Sequence, residues 1–261
     1  MNSVFALPDS LLALPNTGKW RKDKALLRDN LFALGAPKVD ARLQGGLPRA
    51  ALHEVLCEKS VDIASASAFA LLLSLRLASA ERPLIWVQEQ KAVQLSGHLY
   101  PPGLIALGGN PDAMVLVDVR DAKEALRAAA DIIRSGAPSA MIMSVRDSSV
   151  IDLTATRRLA LAAADKDVLA VLLRLDAKSV PSAAYSRWQV TSAPSRPLLA
   201  NAPGFPAFDI ELTRHRGGTA PFATRVEWNY EERTFQDSPL SGSLFAAVVG
   251  GAAEAPERQI A

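Results

Sequence analysis

Several residue types that build chemical sites are scarce in this chain. It has one cysteine, Cys57, which excludes an intramolecular disulfide and any metal site with several cysteine ligands. Its three histidines, His53, His98 and His215, do not have the spacing of metal ligands. No apolar run approaches the roughly 20 residues that span a bilayer. No basic-then-apolar leader opens the chain either, so we expect a cytoplasmic protein without membrane contact.

The charge balance is close to neutral. The formal net charge is +2 and the sequence pI is about 8.8, and so small an excess does not by itself indicate nucleic-acid binding. Hydrophobic residues make up 49% of the chain and charged residues 21%, which is typical of a globular protein. Alanine and leucine are abundant and aromatic residues are few, a mixture that favours an α/β fold.

From residue 51 onward, short apolar segments alternate with helical ones. We predict strands over 52–56, 83–87, 114–119, 140–145 and 168–175, and helices over 64–80, 121–135 and 152–164. Asp121 is placed to cap the second of these helices and Gly136 to end it. Near-continuously apolar strands that alternate with helices indicate a mostly parallel sheet covered on both faces.

The pattern changes after residue 181. Strands predicted over 187–190, 208–213 and 224–230 follow one another without helices, as in an antiparallel meander. Val226, Trp228 and Tyr230 alternate with polar residues, which is typical of a half-exposed edge strand. We therefore predict an N-terminal extension over 1–42 with a short helix at 22–34, a core domain over 43–235, and a disordered tail over 236–261.

One local sequence points to a family. Residues 43–55 (LQGGLPRAALHEV) resemble the turn and first core strand of RecA-type recombinases, and the ending Leu-His-Glu-Val resembles the ImuA family more closely. Residues 82–87, 152–161 (DLTATRRLAL) and 181–190 (PSAAYSRWQV) also fit this family in the same order. The resemblance implies a RecA-like core that extends over most of the chain.

The resemblance also implies a function. ImuA proteins are RecA-like factors of damage-induced (SOS) mutagenesis, and they assist a polymerase homologue, ImuB, and an error-prone DNA polymerase in translesion synthesis. These two proteins, and a recombinase, are therefore the expected partners. Two alternatives remain open: a weak ATPase that binds ATP and DNA, and a cell-division inhibitor of the SulA type.

The phosphate-binding chemistry of recombinases is missing from the sequence. A phosphate loop needs Gly-x-x-x-x-Gly-Lys-Ser/Thr, whose glycines let backbone amides surround the phosphates. After Val55 the chain reads LCEKSVDIASA, without glycine. Lys59 and Ser60 follow the strand too closely, and the carboxylates of Glu58 and Asp62 would repel a triphosphate. We interpret Cys57–Asp62 as a degenerate phosphate loop and predict no nucleotide cofactor, no metal and no catalytic residue.

Two further positions bear on catalysis. The resemblance places Ser144 where recombinases carry a metal-binding aspartate, and Glu89 where they carry the glutamate that activates water. Without a phosphate loop, Glu89 would have no γ-phosphate to act on. We interpret it as a solvated loop residue, and the protein as a binding protein rather than an enzyme.

Basic residues supply candidate contacts to DNA or to a protein partner. Arg157 and Arg158 lie on one predicted helix, and Arg214 and Arg216 flank His215 at a predicted hairpin tip. A solvated surface is the alternative interpretation of both groups. The two DNA-binding loops of recombinases would correspond to residues 146–149 and 176–181, and the second is too short to act as such a loop.

An apolar stripe near the N-terminus is a candidate protein contact. Leu26, Leu27, Leu31 and Phe32 could dock on a neighbouring subunit or on a recombinase, or could fold back on their own sheet. Trp20 among basic residues and the tail segment 241–245 are weaker candidates. We interpret His53 as a hydrogen-bonded core histidine and Cys57 as a small buried apolar group.

Overall fold

The computed structural model describes residues 30–146, 149–197, 200, 202 and 204–238. The strands, numbered in chain order, are β1 (Leu31–Phe32), β2 (Leu47–Pro48), β3 (Leu52–Leu56), β4 (Leu84–Glu89), β5 (Met114–Val119), β6 (Ala140–Val145), β7 (Leu169–Arg174), β8 (Ser186–Ala193), β9 (Ala207–His215), β10 (Phe222–Asn229) and β11 (Thr234–Asp237). The helices are α1 (Pro37–Arg42), α2 (Ile63–Leu75), α3 (Gln90–Ser96), α4 (Pro101–Ala106), α5 (Ala122–Ser135) and α6 (Leu153–Lys166).

Nine of the strands form one sheet in the order β11-β10-β9-β8-β3-β7-β6-β4-β5. The six strands from β8 to β5 are parallel to their neighbours, and β9, β10 and β11 are added to β8 as an antiparallel meander. The α/β fold class, the RecA-like parallel core and the C-terminal meander predicted from the sequence are therefore confirmed.

Helices cover both faces of the parallel part of the sheet. Helix α2, predicted as a buried helix, packs on one face and buries Phe69 and the leucines that follow it. Helices α5 and α6 pack on the other face, where small residues such as Ala125 and Ala163 allow close contact with the strands. Asp121 caps α5 through its side chain and Gly136 ends it in a left-handed conformation, as predicted.

The sequence predictions fail at the N-terminal side of the core. The predicted helix at 22–34 lies mostly outside the described residues, but Leu31 and Phe32 form a strand rather than a helix. This strand pairs with Leu47–Pro48 in a small second sheet. Helix α1 follows at once, and its Val39 is buried in the same core as Phe32.

The end of the meander also differs from the sequence prediction. Strand β10 is an inner strand, because β11 pairs with it and extends to Asp237. Val226, Trp228 and also Glu227 are therefore buried, whereas the alternating pattern predicted an exposed polar face. Ser238 donates a hydrogen bond to the Glu227 carboxylate at 2.8 Å, which compensates its burial. The core thus continues past residue 235, into the range predicted as a tail.

Candidate functional site

The loop that would be a phosphate loop lies between β3 and α2. Lys59 is extended, and Ser60–Asp62 form a single 3₁₀ turn that leads directly into α2. None of residues 57–63, all of them described, has a positive φ. A phosphate loop needs such left-handed residues to turn successive N–H groups towards one anion. Glu58, Lys59 and Ser60 are exposed to solvent.

The side chain of Asp62 fixes this loop to the meander. Its Oδ1 accepts hydrogen bonds from the backbone N–H and the hydroxyl of Ser192 in β8, at 2.8 and 3.0 Å. The buried carboxylate therefore stands at the start of α2, where an anionic ligand would otherwise approach. Cys57 is fully buried beside it, and burial raises the pKa of its thiol. The thiol accordingly stays protonated and packs as an apolar group.

Glu89 ends β4 in the position predicted for a solvated residue, and that interpretation is wrong. Its side chain is fully buried, and Oε2 accepts a hydrogen bond from the backbone N–H of Arg146 at 2.7 Å. Strands β4 and β6 are neighbours, so the end of β4 can hold the segment that follows β6. Ser144 lies in β6 and accepts a hydrogen bond from Trp86 Nε1 at 3.1 Å. The two residues therefore make structural hydrogen bonds between elements.

A buried charged network lies on the face of the sheet that carries α6. The Glu54 carboxylate of β3 accepts hydrogen bonds from Arg174 Nε and Arg187 Nε, both at 2.6 Å, and from the Ser182 hydroxyl at 2.7 Å. Glu54 and Arg174 are completely buried. The network joins β3, β7, β8 and the connection between β7 and β8.

This network has a clear sequence signal that our predictions did not use. Glu54 and Arg174 are charged residues inside predicted apolar strands, and Arg187 is the first residue of a predicted strand of the meander. Charged side chains are almost never fully buried unless they are paired. Three isolated charges in core strands therefore indicate an ion-paired cluster.

The connection between β7 and β8 corresponds to the second predicted DNA loop, and it is held against the sheet. Arg187 donates to the Ser179 hydroxyl, and the Ala183 N–H donates to the Thr156 hydroxyl of α6 at 3.0 Å. Of the first predicted loop, Arg146 forms a salt bridge with Asp176 at 3.2 Å, while residues 147 and 148 lie outside the described part.

The structure brings together basic residues that are far apart in the sequence. Arg214 and Arg216 lie at the end of β9 and beyond it, and they donate to the carbonyls of Ser182 and Ala183, at 2.5 and 3.3 Å. Arg157 of α6 belongs to the same neighbourhood, because its charge acts on the Arg216 guanidinium. Arg158 is exposed on the same helix. We call Arg157, Arg214 and Arg216 the arginine cluster.

The N-terminal apolar stripe is only partly described. Phe32 is buried in the core of its own chain and Leu31 is half-buried. Of the two alternatives, Phe32 therefore folds back on its own chain and does not dock on another subunit. Leu26, Leu27, Trp20 and the segment 241–245 lie outside the described residues.

His53 is the hydrogen-bonded core histidine expected from the sequence. Its Nδ1 is 2.7 Å from the Ser186 hydroxyl and its Nε2 is 2.9 Å from the Pro48 carbonyl. Burial lowers the pKa of His53 to about 4, so the ring is neutral and donates to the carbonyl through Nε2. His215 packs near it through Tyr185, and burial lowers its pKa as well.

The described residues contain no group of three or more histidine, cysteine, aspartate or glutamate side chains that could hold a metal ion. None of their helices combines the length and apolar character that a membrane crossing requires.

Comparison with known proteins gives one consistent result. No protein-family model matches the chain. The chain is 30% identical to Protein ImuA of Caulobacter vibrioides strain NA1000 over 203 residues, which make up 72% of this chain and 80% of that protein. Protein ImuA of the same species, strain CB 15, matches with the same identity and coverage. The similarity therefore concerns most of both chains rather than one motif.

Proposed function

The chain belongs to the ImuA family, and from this membership we propose that it is a non-catalytic accessory protein of damage-induced mutagenesis. Its partners are an ImuB-type polymerase homologue and an error-prone DNA polymerase during translesion synthesis, and a recombinase is a further candidate. The protein acts by binding these partners through the surfaces of a RecA-like core.

The loop between β3 and α2 is the observation that carries this proposal. Where a nucleotide-binding protein turns backbone amides towards phosphate, this chain has a 3₁₀ turn and the buried carboxylate of Asp62. The match to ImuA and this loop together favour a binding protein over the weak-ATPase alternative. The match to ImuA also favours this proposal over a division inhibitor.

The same edge of the molecule offers a surface for a protein partner. Val61 is 78% exposed after β3, and Val150 and Leu153 are 43% and 52% exposed after β6. Strands β3 and β6 point in the same direction within the parallel sheet, so these three side chains lie at one edge. Exposed apolar groups at such an edge favour contact with a protein over contact with a nucleotide. We assign this edge to the polymerase homologue.

The test is co-purification of the tagged chain with the polymerase homologue and, separately, with a recombinase. Both co-purifications are done at moderate salt and without nucleotide. We expect a stable complex with the polymerase homologue. The double variant Val61→Asp/Leu153→Asp should weaken it at least about tenfold, because two charges would be buried in the contact. Ile105→Asp is the matched control. Ile105 is 59% exposed on α4, and α4 precedes β5, the last strand of the sheet on the side away from the meander.

Two results would contradict the proposal. If neither partner is retained while the chain retains ATP or hydrolyses it, the weak-ATPase alternative is correct. If the complex forms but the double variant binds as well as the control, the partner contacts a different surface.

A further inference from the structure

The two edge strands of the nine-stranded sheet, β11 and β5, differ in how they are covered. Strand β11 is short and mostly polar, and the beginning of the described chain lies against it. Phe235 of β11 donates its backbone N–H to the Leu34 carbonyl at 3.2 Å. The Asp237 carboxylate accepts a hydrogen bond from the backbone N–H of Lys38 at 3.1 Å. The chain therefore covers this edge with its own residues.

Strand β5 has no such cover in the part of the chain that the structure describes. It pairs with β4 on one side, and no described segment pairs with its other side. Leu116 is in register with Trp86, which lies in the core beneath α2, and yet it is 42% exposed. Val115 lies on the opposite face and is 45% exposed.

The sequence of this edge strand favours the addition of another strand. Its six residues, MVLVDV, contain one charge and neither lysine nor proline, which are the residues that usually block an exposed edge. Helices α3 and α5 pack mainly on β4 and β6, so they leave the outer side of β5 open. An added strand would form main-chain hydrogen bonds along β5 and would cover apolar side chains on both faces.

A second copy of β5 is complementary to this edge. Two copies related by a two-fold axis pair antiparallel, and residues directly opposite each other point to the same face. One residue must then face its own copy. If that residue is Leu116, the two Leu116 side chains meet and Val115 lies against Val117. The exposed side chains of Asp112 and Arg120 then come together just beyond both ends of the paired strands.

The neighbouring registers are less favourable. If Val115 faced its own copy, Asp112 would lie against Asp118, and like charges directly opposite each other are destabilising. A shift by one residue in the other direction would place Asp118 against Leu116, and no opposite charges would meet. In the register centred on Leu116, Asp118 lies against Met114 at the end of the paired strands.

The carboxyl end of β5 has room for the second chain. A groove of about 750 Å³ lies there, and Asp118 and Arg120 are among the residues that line it. The Arg120 side chain is 83% exposed and pairs with Glu124 of its own chain. A guanidinium has five N–H donors, so Arg120 can bind the Asp112 carboxylate of a second copy as well.

We propose that the chain forms a symmetric dimer in which two β5 strands pair antiparallel around Leu116 and join two nine-stranded sheets into one. The dimer goes beyond the partner binding proposed above and does not depend on it. It uses the outer side of β5, whereas Val61 and Leu153 lie beyond the ends of β3 and β6.

Sedimentation equilibrium of the full chain tests the dimer. A contact through one strand from each copy is small, so we expect a Kd on the order of 10 µM. Leu116→Lys should raise this Kd at least about tenfold, because two lysines would face each other at the centre of the contact. Tyr230→Lys is the matched control, since Tyr230 is 39% exposed in the turn after β10, and it should dimerise as the unmodified chain does. Thermal unfolding establishes that both variants are folded.

Charge reversal tests the register. Asp112→Arg would place two arginines together at each end of the contact, and it should raise the Kd about fivefold at low salt, in keeping with the modest strength of exposed ion pairs. Asp112→Arg/Arg120→Asp restores opposite charges across the two-fold axis, so it should recover most of the lost affinity.

Three outcomes would overturn the proposal. A full chain that stays monomeric at about 100 µM, ten times the expected Kd, does not dimerise through β5. If Leu116→Lys dimerises as well as the control, the contact between copies lies elsewhere. If the chain is monomeric and Leu116→Lys instead loses the polymerase homologue in co-purification, β5 binds that partner. Failure of the double charge reversal to recover affinity would contradict the register centred on Leu116.

Discussion

At the scale of single residues, the position of the Glu54 side chain is fixed by hydrogen bonds from several directions. One buried carboxylate accepts hydrogen bonds from Arg174, Arg187 and Ser182 on three separate segments. Removing two charges from water is expensive, and only good geometry and additional hydrogen bonds compensate it. The network therefore fixes how the connection before β8 lies on the sheet more than it adds net stability.

The first prediction is that Glu54→Gln destabilises the fold. Glutamine has nearly the same shape but leaves the buried Arg174 guanidinium without its counter-charge, which typically costs about 3–5 kcal/mol. Urea unfolding at neutral pH measures this loss. Glu124→Gln is the control, because Glu124 pairs with the exposed Arg120 and such surface pairs contribute little. A loss below about 1 kcal/mol for Glu54→Gln would mean that the pair is not desolvated.

The second prediction concerns pH and His53. The pKa of His53 is about 4 in the folded chain and 6.5 in the unfolded chain, so the unfolded chain binds more protons between these values. The stability from the neutral ring is complete above pH 6.5 and is lost as the pH falls towards 4. Between pH 7.5 and pH 5 the loss should be about 2 kcal/mol.

Because carboxylates also titrate in this range, the measurement compares the unmodified chain with His53→Gln by urea unfolding at both pH values. The difference between the two proteins isolates the histidine. Equal pH dependence in both would show that His53 is not buried as a neutral ring.

At the scale of elements, prediction from sequence succeeded where the pattern is long. The parallel strands are near-continuously apolar and α5 has a capping residue at each end. The sequence alone therefore predicts these strands and this helix. Strands β1 and β2 have two residues each, and α3 and α4 have seven and six, which is too short for a periodic signal. Their conformation depends on contacts with the core.

The candidate site shows the same limit of prediction from sequence. Each member of the arginine cluster was identified separately as a basic residue. Their proximity could not be predicted, because it depends on the path of residues 182–185 between α6 and the meander. The buried position of Glu89 depends likewise on the pairing of β4 with β6, which places its carboxylate next to Arg146.

The third prediction tests the antiparallel pairing of β1 with β2. Gly46 has φ +128°, and a Cβ atom there would lie 2.1 Å from the backbone oxygen of Phe32. Gly46→Ala should therefore separate β1 from β2 and lower the free energy of unfolding. Gly136→Ala is the control, because Gly136 is also left-handed at φ +67° but has no contact closer than 3.8 Å.

We expect a loss of about 1–2 kcal/mol for the control, from backbone strain alone. The loss for Gly46→Ala should be clearly larger, since the backbone of Phe32 must also move. Equal losses in urea unfolding would mean that the β1–β2 pairing contributes nothing to stability.

At the scale of the whole molecule, the RecA-like fold brings together surface side chains that are far apart in the sequence. Exposed apolar side chains lie at the carboxyl edge of the parallel strands, and the arginine cluster lies beside the connection before β8. The formal net charge of +2 conceals this local concentration of positive charge, because it averages over the whole chain.

The last prediction asks whether the whole domain responds to nucleotide. A ligand at one hundred times its Kd stabilises the folded state by about 2.7 kcal/mol, which would raise the Tm of a domain of this size by about 5–10 °C. Because the loop after β3 offers a carboxylate and a 3₁₀ turn instead of an amide cradle, millimolar ATP with Mg²⁺ should leave the Tm unchanged. Differential scanning fluorimetry of the unmodified chain and of Lys59→Ala gives the measurement. If ATP raises the Tm of the unmodified chain and Lys59→Ala abolishes the rise, Lys59 contacts phosphate and the protein binds nucleotide through this loop.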